Sequence, residues 1–246
     1  LKLLNETKLI SIIGSRNAAI QNLSFTKKIT TELSNDGYTI ISGMAKGIDK
    51  AAHTAGIKKT IAVVGTCITK IYPEENEQLY HEIIKNNGLI ISEMQLNSQT
   101  KPNNFAYRNR IIAALSNTLI VMEASMKSGS LITAKYANEQ GKDIFAVPGH
   151  PFDLNAQGAN YLIKNGAYLL QNCDDIINSF QVKSFEKKSN MLFEEKEQFE
   201  FNISNLKEQI LNSLNLTLID IHEIIENFHN KNISIQNKHW GVHDKI

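Results

Sequence analysis

The sequence is poor in the groups that usually announce a chemistry. Its 246 residues hold two cysteines, Cys67 and Cys173, too few for a disulfide framework or a metal quartet. Cys67 follows an apolar run, where a thiol packs as a small hydrophobe; such reduced thiols fit a cytoplasmic protein. The seven histidines fall at no spacing that matches a zinc site, so neither metal nor organic cofactor is expected. No apolar run approaches the roughly 18 residues of a membrane span, and the first residues lack the apolar core of a signal peptide, so no membrane partner is expected. Leu1 in place of methionine is what a fragment or a shortened version of something longer would show. A surplus of one charge is missing too: 26 Lys and Arg against 25 Asp and Glu leave a net +1. Affinity for a polyanion then has to come from local clustering. The asymmetry is mild, with 18 basic and 15 acidic side chains in residues 1–180 and 8 and 10 in the rest. Two nucleotide motifs are also absent. There is no G-x-G-x-x-G with an acidic residue at the dinucleotide spacing, which argues against NAD, and no G-x-x-x-x-G-K-[ST], which argues against a P-loop ATPase.

What the chain does have is repetition of one unit. With 42% apolar and 21% charged residues it can bury a sizeable core, one large domain with a small appendage. Short, nearly continuous apolar runs recur: Lys8–Ile13, Tyr38–Ile41, Thr60–Val64, Leu89–Ile91, Thr118–Met122 and Ile144–Val147. Each ends in small or polar residues, as parallel strands buried on both faces do. Helical patterns lie between them at Leu23–Leu33, Ile48–Ala55, Glu75–Lys85, Ile111–Leu115 and Ser130–Glu139, with glycines as stops. A weaker run, Ala167–Leu170, follows a helix around Tyr161–Lys164. The series predicts an α/β fold, a Rossmann-like, doubly wound, mostly parallel sheet over 1–180, with ligands beyond the carboxyl ends of its strands. Residues 181–204 read as a charged linker. Residues 205–246 read as a small, incomplete winged-helix-like α module, with Trp240 in its tail and no role for it.

Candidate chemistry gathers at the strand ends. The stretch Phe105-Ala-Tyr-Arg-Asn-Arg110 precedes Ile111–Leu115, so it is expected at a helix start, where free N–H groups and the dipole favour an anion. Arg108, Asn109 and Arg110 beside an aromatic ring suit a phosphate chain with a base to stack, as in single-stranded nucleic acid; the plain alternative is surface arginines paired with carboxylates. Gly14-Ser15-Arg16 follows the first run and brings backbone amides and a cation to the same edge. Gly43 and Gly47 bracket Lys46 in a second loop. Asp49 and His53 share a helical face, either as an acid–base pair or, more commonly, with the histidine hydrogen-bonded to order the loop. Ser128-Gly129-Ser130, beside Lys127, opens another helix. Glu93 and Glu123 end two strands, either positioning a ribose or bridging the arginines, the second being favoured.

Taken in order, Ile13-Gly-Ser-Arg16, Ser42-Gly-Met-Ala-Lys-Gly-Ile-Asp49 with His53, Ala62-Val-Val-Gly-Thr66, Tyr72-Pro73, Ile91-Ser-Glu93, Phe105 with Arg108-Asn-Arg-Ile111, Ser128-Gly-Ser-Leu-Ile-Thr133 and Val147-Pro-Gly149 resemble the DprA/Smf family of DNA-processing proteins from about Lys8 to about Asp175. The resemblance implies a non-enzymatic protein that holds single-stranded DNA in a basic pocket. It further implies protection of incoming DNA during natural transformation and, as a homodimer, delivery of that DNA to the RecA recombinase. Carried across, Arg16 is the first phosphate ligand, Phe105 the base-stacking aromatic, and Leu162, Ile163 and Leu169 the self-association surface. Two departures stand out: Glu74 and Glu75 replace a basic residue after Tyr-Pro, and Pro102 replaces a lysine, with Lys101 one step away. A weaker or displaced DNA contact is expected. The competing class is a phosphoribohydrolase acting on nucleoside monophosphates through a P-G-G-x-G-T-x-x-E loop. Aligned on that loop, Thr133 stands where the glutamate should be, which removes the general acid/base.

Overall fold

The computed structural model describes residues 2–179; the expected linker 181–204 and module 205–246 lie outside them. Strands β1 (Leu9–Ile13), β2 (Thr39–Ser42), β3 (Thr60–Val64), β4 (Leu89–Ser92), β5 (Thr118–Val121), β6 (Asp143–Ala146) and β7 (Tyr168–Leu169) alternate with helices α1 (Ile20–Asn35), α2 (Ile48–Ala55), α3 (Glu77–Lys85), α4 (Pro102–Leu115), α5 (Gly129–Glu139) and α6 (Gln157–Lys164). They form one sheet in the order β4-β3-β2-β1-β5-β6-β7, and every pairing is parallel. No helix among the described residues is long and apolar enough to cross a membrane.

Both faces of the sheet are covered, so the strands carry apolar side chains at successive positions. Leu9, Ile13, Ile41, Val63, Leu119 and Val121 face α4, α5 and α6 through Ile112, Ala134 and Ala159. Their neighbours Ile10, Ile12, Ile40 and Ile120 face α1 and α2 through Ile29, Leu33 and Ile48, while Ala62, Val64 and Ile90 meet α3 through Leu79 and Ile83. Each fully buried Ile or Leu contributes about 1.5–3 kcal/mol relative to exposure. The one polar residue inside β1, Ser11, is satisfied: its hydroxyl donates to the Ile112 carbonyl at 2.8 Å and accepts from Ser116 at 2.8 Å, fastening β1 to the end of α4.

One expectation fails in a way that matters. The helix was expected to open at Ile111, but α4 begins nine residues earlier, with Lys101 as its N-cap and Pro102 in its first turn, where the missing N–H and fixed φ of proline are tolerated. Arg108, Asn109 and Arg110 are therefore mid-helix and gain nothing from the helix N-terminus. The apolar period starts late because Asn103, Asn104 and Asn109 interrupt it.

Asp49 and His53 are both buried and do not pair as acid and base. The His53 ring meets the Thr60 hydroxyl at 2.7 Å, and that hydroxyl donates to the Ile40 carbonyl at 2.9 Å, so the ring is the donor. It ties α2 to β2 and β3. Burial pushes the His53 imidazole down to about 3. Below its unfolded pKa of about 6.5 the unfolded chain takes a proton that the folded chain refuses. This contribution to stability is thus complete above about pH 6.5 and lost progressively as the pH falls toward about 3. Urea titrations of the native chain and His53→Gln at pH 7 and pH 5 are expected to show about 2 kcal/mol more loss in the native chain. Equal losses in both proteins would remove the imidazole from the account.

Candidate nucleic-acid interface

The winding of the chain reverses between β1 and β5, and a crevice opens beyond their carboxyl ends, as such switch points require. A cleft of about 540 Å³ lies there, walled by Gly14, Ser15 and Arg16 after β1, Phe105, Arg108 and Asn109 of α4, and Ser128, Gly129 and Ser130 at the start of α5. A smaller hollow of about 50 Å³ is lined by Arg16, Gly43, Lys46, Tyr72, Phe105 and Arg108. Of the other expected ligands, Gly47, Lys101, Arg110 and Lys127 line neither.

Arg108 forms the floor. It is 4% exposed; its Nη1 donates to the Gly43 carbonyl at 2.7 Å and to the Val63 carbonyl. A Cβ on Gly43 would stand 2.7 Å from Arg108 Nη2 and 2.8 Å from Asp49 Oδ2, so only glycine admits the guanidinium and the carboxylate side by side. Burial lowers the Arg108 pKa to about 10, with Asp49 acting to raise it and Arg16 to lower it, and the group stays charged at neutral pH. Asp49 is pushed up by burial and held back chiefly by Arg108; its Oδ2 accepts from the Ala45 amide at 3.2 Å. Arg108, expected as a phosphate ligand, lines both hollows and is at the same time a strut, with Nη1 committed to two carbonyls and Nε donating to Asn109 Oδ1 at 3.3 Å.

The second loop is equally fixed. Asn76 donates to the carbonyls of Met44 at 2.9 Å and Ala45 at 3.2 Å. Gly47, at φ 71°, lies against the Ser15 carbonyl with no space for a side chain, and Ile48 N donates to that same oxygen at 3.2 Å. The loops after β1 and β2 are thus a single unit, and Gly47 serves as the point where they touch.

Phe105 lies one turn before Arg108. A Cβ on Gly65 would be 2.8 Å from its ring, and Tyr72 meets it at a centroid separation of 5.2 Å and 44°, so one side of the ring is propped and the other lines the cleft. Tyr72 was quoted for its motif alone; a partly exposed aromatic followed by proline was the signal available for its role. Asn109 donates to the Gly129 carbonyl at 3.3 Å and joins α4 to α5. Ser128 caps α5, accepting from Ser130 N at 3.2 Å, and leaves the positive end of that helix at the cleft.

Availability separates the cations. Arg16 is exposed and has no ion-pair partner among the described residues. Lys46 pairs with Glu75 while both are half exposed, an exchangeable contact. Arg110 pairs with Glu93, which is almost wholly buried, so losing Arg110 to a phosphate would strand a buried carboxylate. The expectation that Glu93 bridges an arginine agrees with this geometry, whereas Glu123 does something else. It accepts from the Ala19 amide at 2.9 Å and from Asn22 at 2.6 Å, an internal anion at the start of α1. Lys101 and Lys127 are exposed outside the lining. Leu162 and Ile163 are partly buried against the core, leaving Leu169 exposed.

Residues 1–181 match the family of DNA recombination-mediator protein A. The chain belongs to that family. It is 43% identical over 173 residues to protein Smf of Synechocystis sp., which covers 69% of this chain and 43% of that protein. Its fold superposes on DNA processing protein A of Streptococcus pneumoniae with a TM-score of 0.68 at 41% identity, over 72% of this chain and 62% of that one. A structure concerned with the single-stranded DNA binding mode of DNA processing protein A from Helicobacter pylori gives 0.69 at 32% identity, over 74% and 84%. The chain thus spans less than two thirds of the Synechocystis and pneumococcal proteins.

Within this recombination-mediator fold the Arg108 strut is testable. Arg108→Met leaves the Asp49 carboxylate buried without its cation and two carbonyls without donors, and is expected to cost about 3–5 kcal/mol in urea denaturation. Adding Asp49→Asn should recover part of the loss; an unchanged midpoint for Arg108→Met would show that the guanidinium carries no load.

Proposed function

We propose that this chain binds single-stranded DNA without altering it covalently, shields it, and acts as a recombination mediator that passes it to a RecA-type recombinase during natural transformation. The observation that carries the reading is the meeting of Arg16, the propped Phe105 ring and the positive end of α5 in one cleft. Phosphates along the strand replace their counterions with Arg16 and, after exchange from Glu75, Lys46, while a base stacks on Phe105 for about 1–3 kcal/mol. Backbone and aromatic contacts of this kind ignore base identity.

A hydrolase needs a proton-transfer group at the reacting bond. The cleft lining holds one carboxylate, Asp49, which is committed to Ala45 N beside Arg108, and Thr133, which aligns in sequence with the glutamate of the phosphoribohydrolase loop, lines the cleft without a group that titrates near neutral pH. The non-enzymatic reading rests on that chemistry.

Oligo-dT is expected to bind more tightly than duplex of equal length. Arg16→Ala should weaken binding to every sequence and lower the salt slope by about 0.7, the share of one single-strand phosphate contact. A slope unaltered by the substitution, or a preference for duplex, would overturn the assignment.

We further propose a homodimer through β7. Among the described residues this strand ends the sheet and exposes Tyr168 and Leu169, an edge of the kind that templates association, and two clefts on one strand bind it more tightly than either alone. Leu169→Asp is expected to shift sedimentation from dimer to monomer and to weaken binding to long strands more than to short ones. A dimer that survives the substitution would place the contact elsewhere.

A further inference from the structure

We infer that the β5–β6 side of the cleft, formed by Met126, Ile132, Phe152 and Leu154, is a second base-binding platform, on which Phe152 stacks the nucleotide following the one held in the cleft. This rests on the single-strand reading above.

Phe152 is 89% exposed and Leu154 69%, and Met126 and Ile132 are also exposed apolar residues. Ile132 and Asn155 line the cleft. Phe152 stands three residues before Asn155, within about 10 Å along the chain at full extension. The loop that carries it is tightly built. Asn160 grips Gly149 twice, accepting from its amide at 3.1 Å and donating to its carbonyl at 2.9 Å. Phe152 N donates to His150 Nδ1 at 3.3 Å and Asn155 N to Asp153 Oδ1 at 2.9 Å, while Asp153 N and Ala156 N close two turns onto His150 and Asp153 at 2.9 and 3.0 Å. The loop is anchored to its neighbour: Gly158 N donates to the Ala124 carbonyl at 2.7 Å, and a Cβ on Gly158 would meet the Ser125 carbonyl at 2.6 Å. The His150 ring, 5.6 Å from Phe152 and tilted by 41°, supports one side of the phenyl and leaves the other to solvent.

Four exposed apolar side chains on the segments after two adjacent strands, one of them a large aromatic on an ordered loop, are the kind of grouping that marks a binding surface. The partner's chemistry follows from the two sides of the cleft. Arg16 and Lys46 follow β1 and β2, whereas Met126 and Ile132 follow β5 and Phe152 and Leu154 follow β6 on the other side of the switch point, with Ile132 and Asn155 in the cleft lining itself. A single strand carries phosphates along one edge and bare base faces along the other, which matches; a duplex hides those faces.

The test is a titration of the native chain, Arg16→Ala, Phe152→Ala and Phe152→Trp with oligo-dT from a dinucleotide to about twelve nucleotides, read by fluorescence anisotropy. Phe152→Ala should equal the native chain on the shortest strand retained and lose about 5- to 150-fold on longer ones; Phe152→Trp should restore binding, and Arg16→Ala should weaken every length. Equal affinity of Phe152→Ala and the native chain at all lengths would overturn the platform, as would the same loss at every length. A change in sedimentation with DNA affinity intact would assign the rim to a second copy and also overturn it. Failure of the native chain itself to bind any strand is a separate result, which removes the function reading and the platform with it.

Discussion

One guanidinium kept out of water holds this edge together. The first half of α4 has little apolar surface to pack, with Asn103 and Asn104 in it, so its position comes from Arg108 reaching under the ends of β2 and β3. Desolvation opposes this, and the two carbonyls and Asp49 offset it. Lysine would not serve equally, because the planar, more weakly hydrated guanidinium bonds both carbonyls through Nη1 and still reaches Asn109 through Nε and lies beside Asp49 through Nη2, which a compact ammonium cannot span. Phe105 faces the cleft, Gly65 and Tyr72 because the turn after it is fixed. Gly43 is fixed for the same reason: its missing side chain is the space the pair occupies.

Among the helix N-termini near this region, those of α1 and α5 are treated differently. The start of α1 is already neutralised by Glu123, so the place where a Rossmann dinucleotide would put its pyrophosphate holds a carboxylate of the protein. The start of α5 has only the neutral Ser128 cap, and Gly129 beside it faces open space. An anion is thereby directed away from the start of α1 and toward Arg16 and the start of α5. The same logic sorts the salt bridges: Glu75 is exposed and can release Lys46, whereas Glu93 is buried and cannot release Arg110 at comparable cost.

The strands were legible because burial on both faces leaves little ambiguity: the limits of β3 and α2 read from the sequence agree with the structure to the residue. The start of α4 was not, since apolar period is silent where a helix is held by a polar strut; Pro102 was the signal that marked it. The roles of the site residues divide along the same line. Arg16, Phe105 and the Ser128 turn follow from position at strand ends, which topology dictates. Arg108 and Arg110 look alike in sequence, two residues apart, and differ only through partners that lie 65 and 17 residues away. Periodicity on one helix does not reveal such distant acceptors. Phe152 was passed over because it belongs to no strand-end motif.

Charge alone would make a poor choice between single and double strands. A duplex presents one phosphate per about 1.7 Å of axis and a single strand half that density, so a site built only from cations favours the duplex. This chain has few cations to spend: Arg16 stands free among the described residues, Lys46 is exchangeable, and Arg108 and Arg110 are committed. The preference proposed for it therefore has to come from the other half of the ligand. A ring propped by Gly65 and Tyr72 in the wall of a cleft stacks on a base only when that base has left its own stack, and a paired base cannot reach it without opening of the helix. On the proposed reading, the propped aromatic surface selects the single strand, and the modest positive charge sets how strongly it is held and how steeply salt releases it.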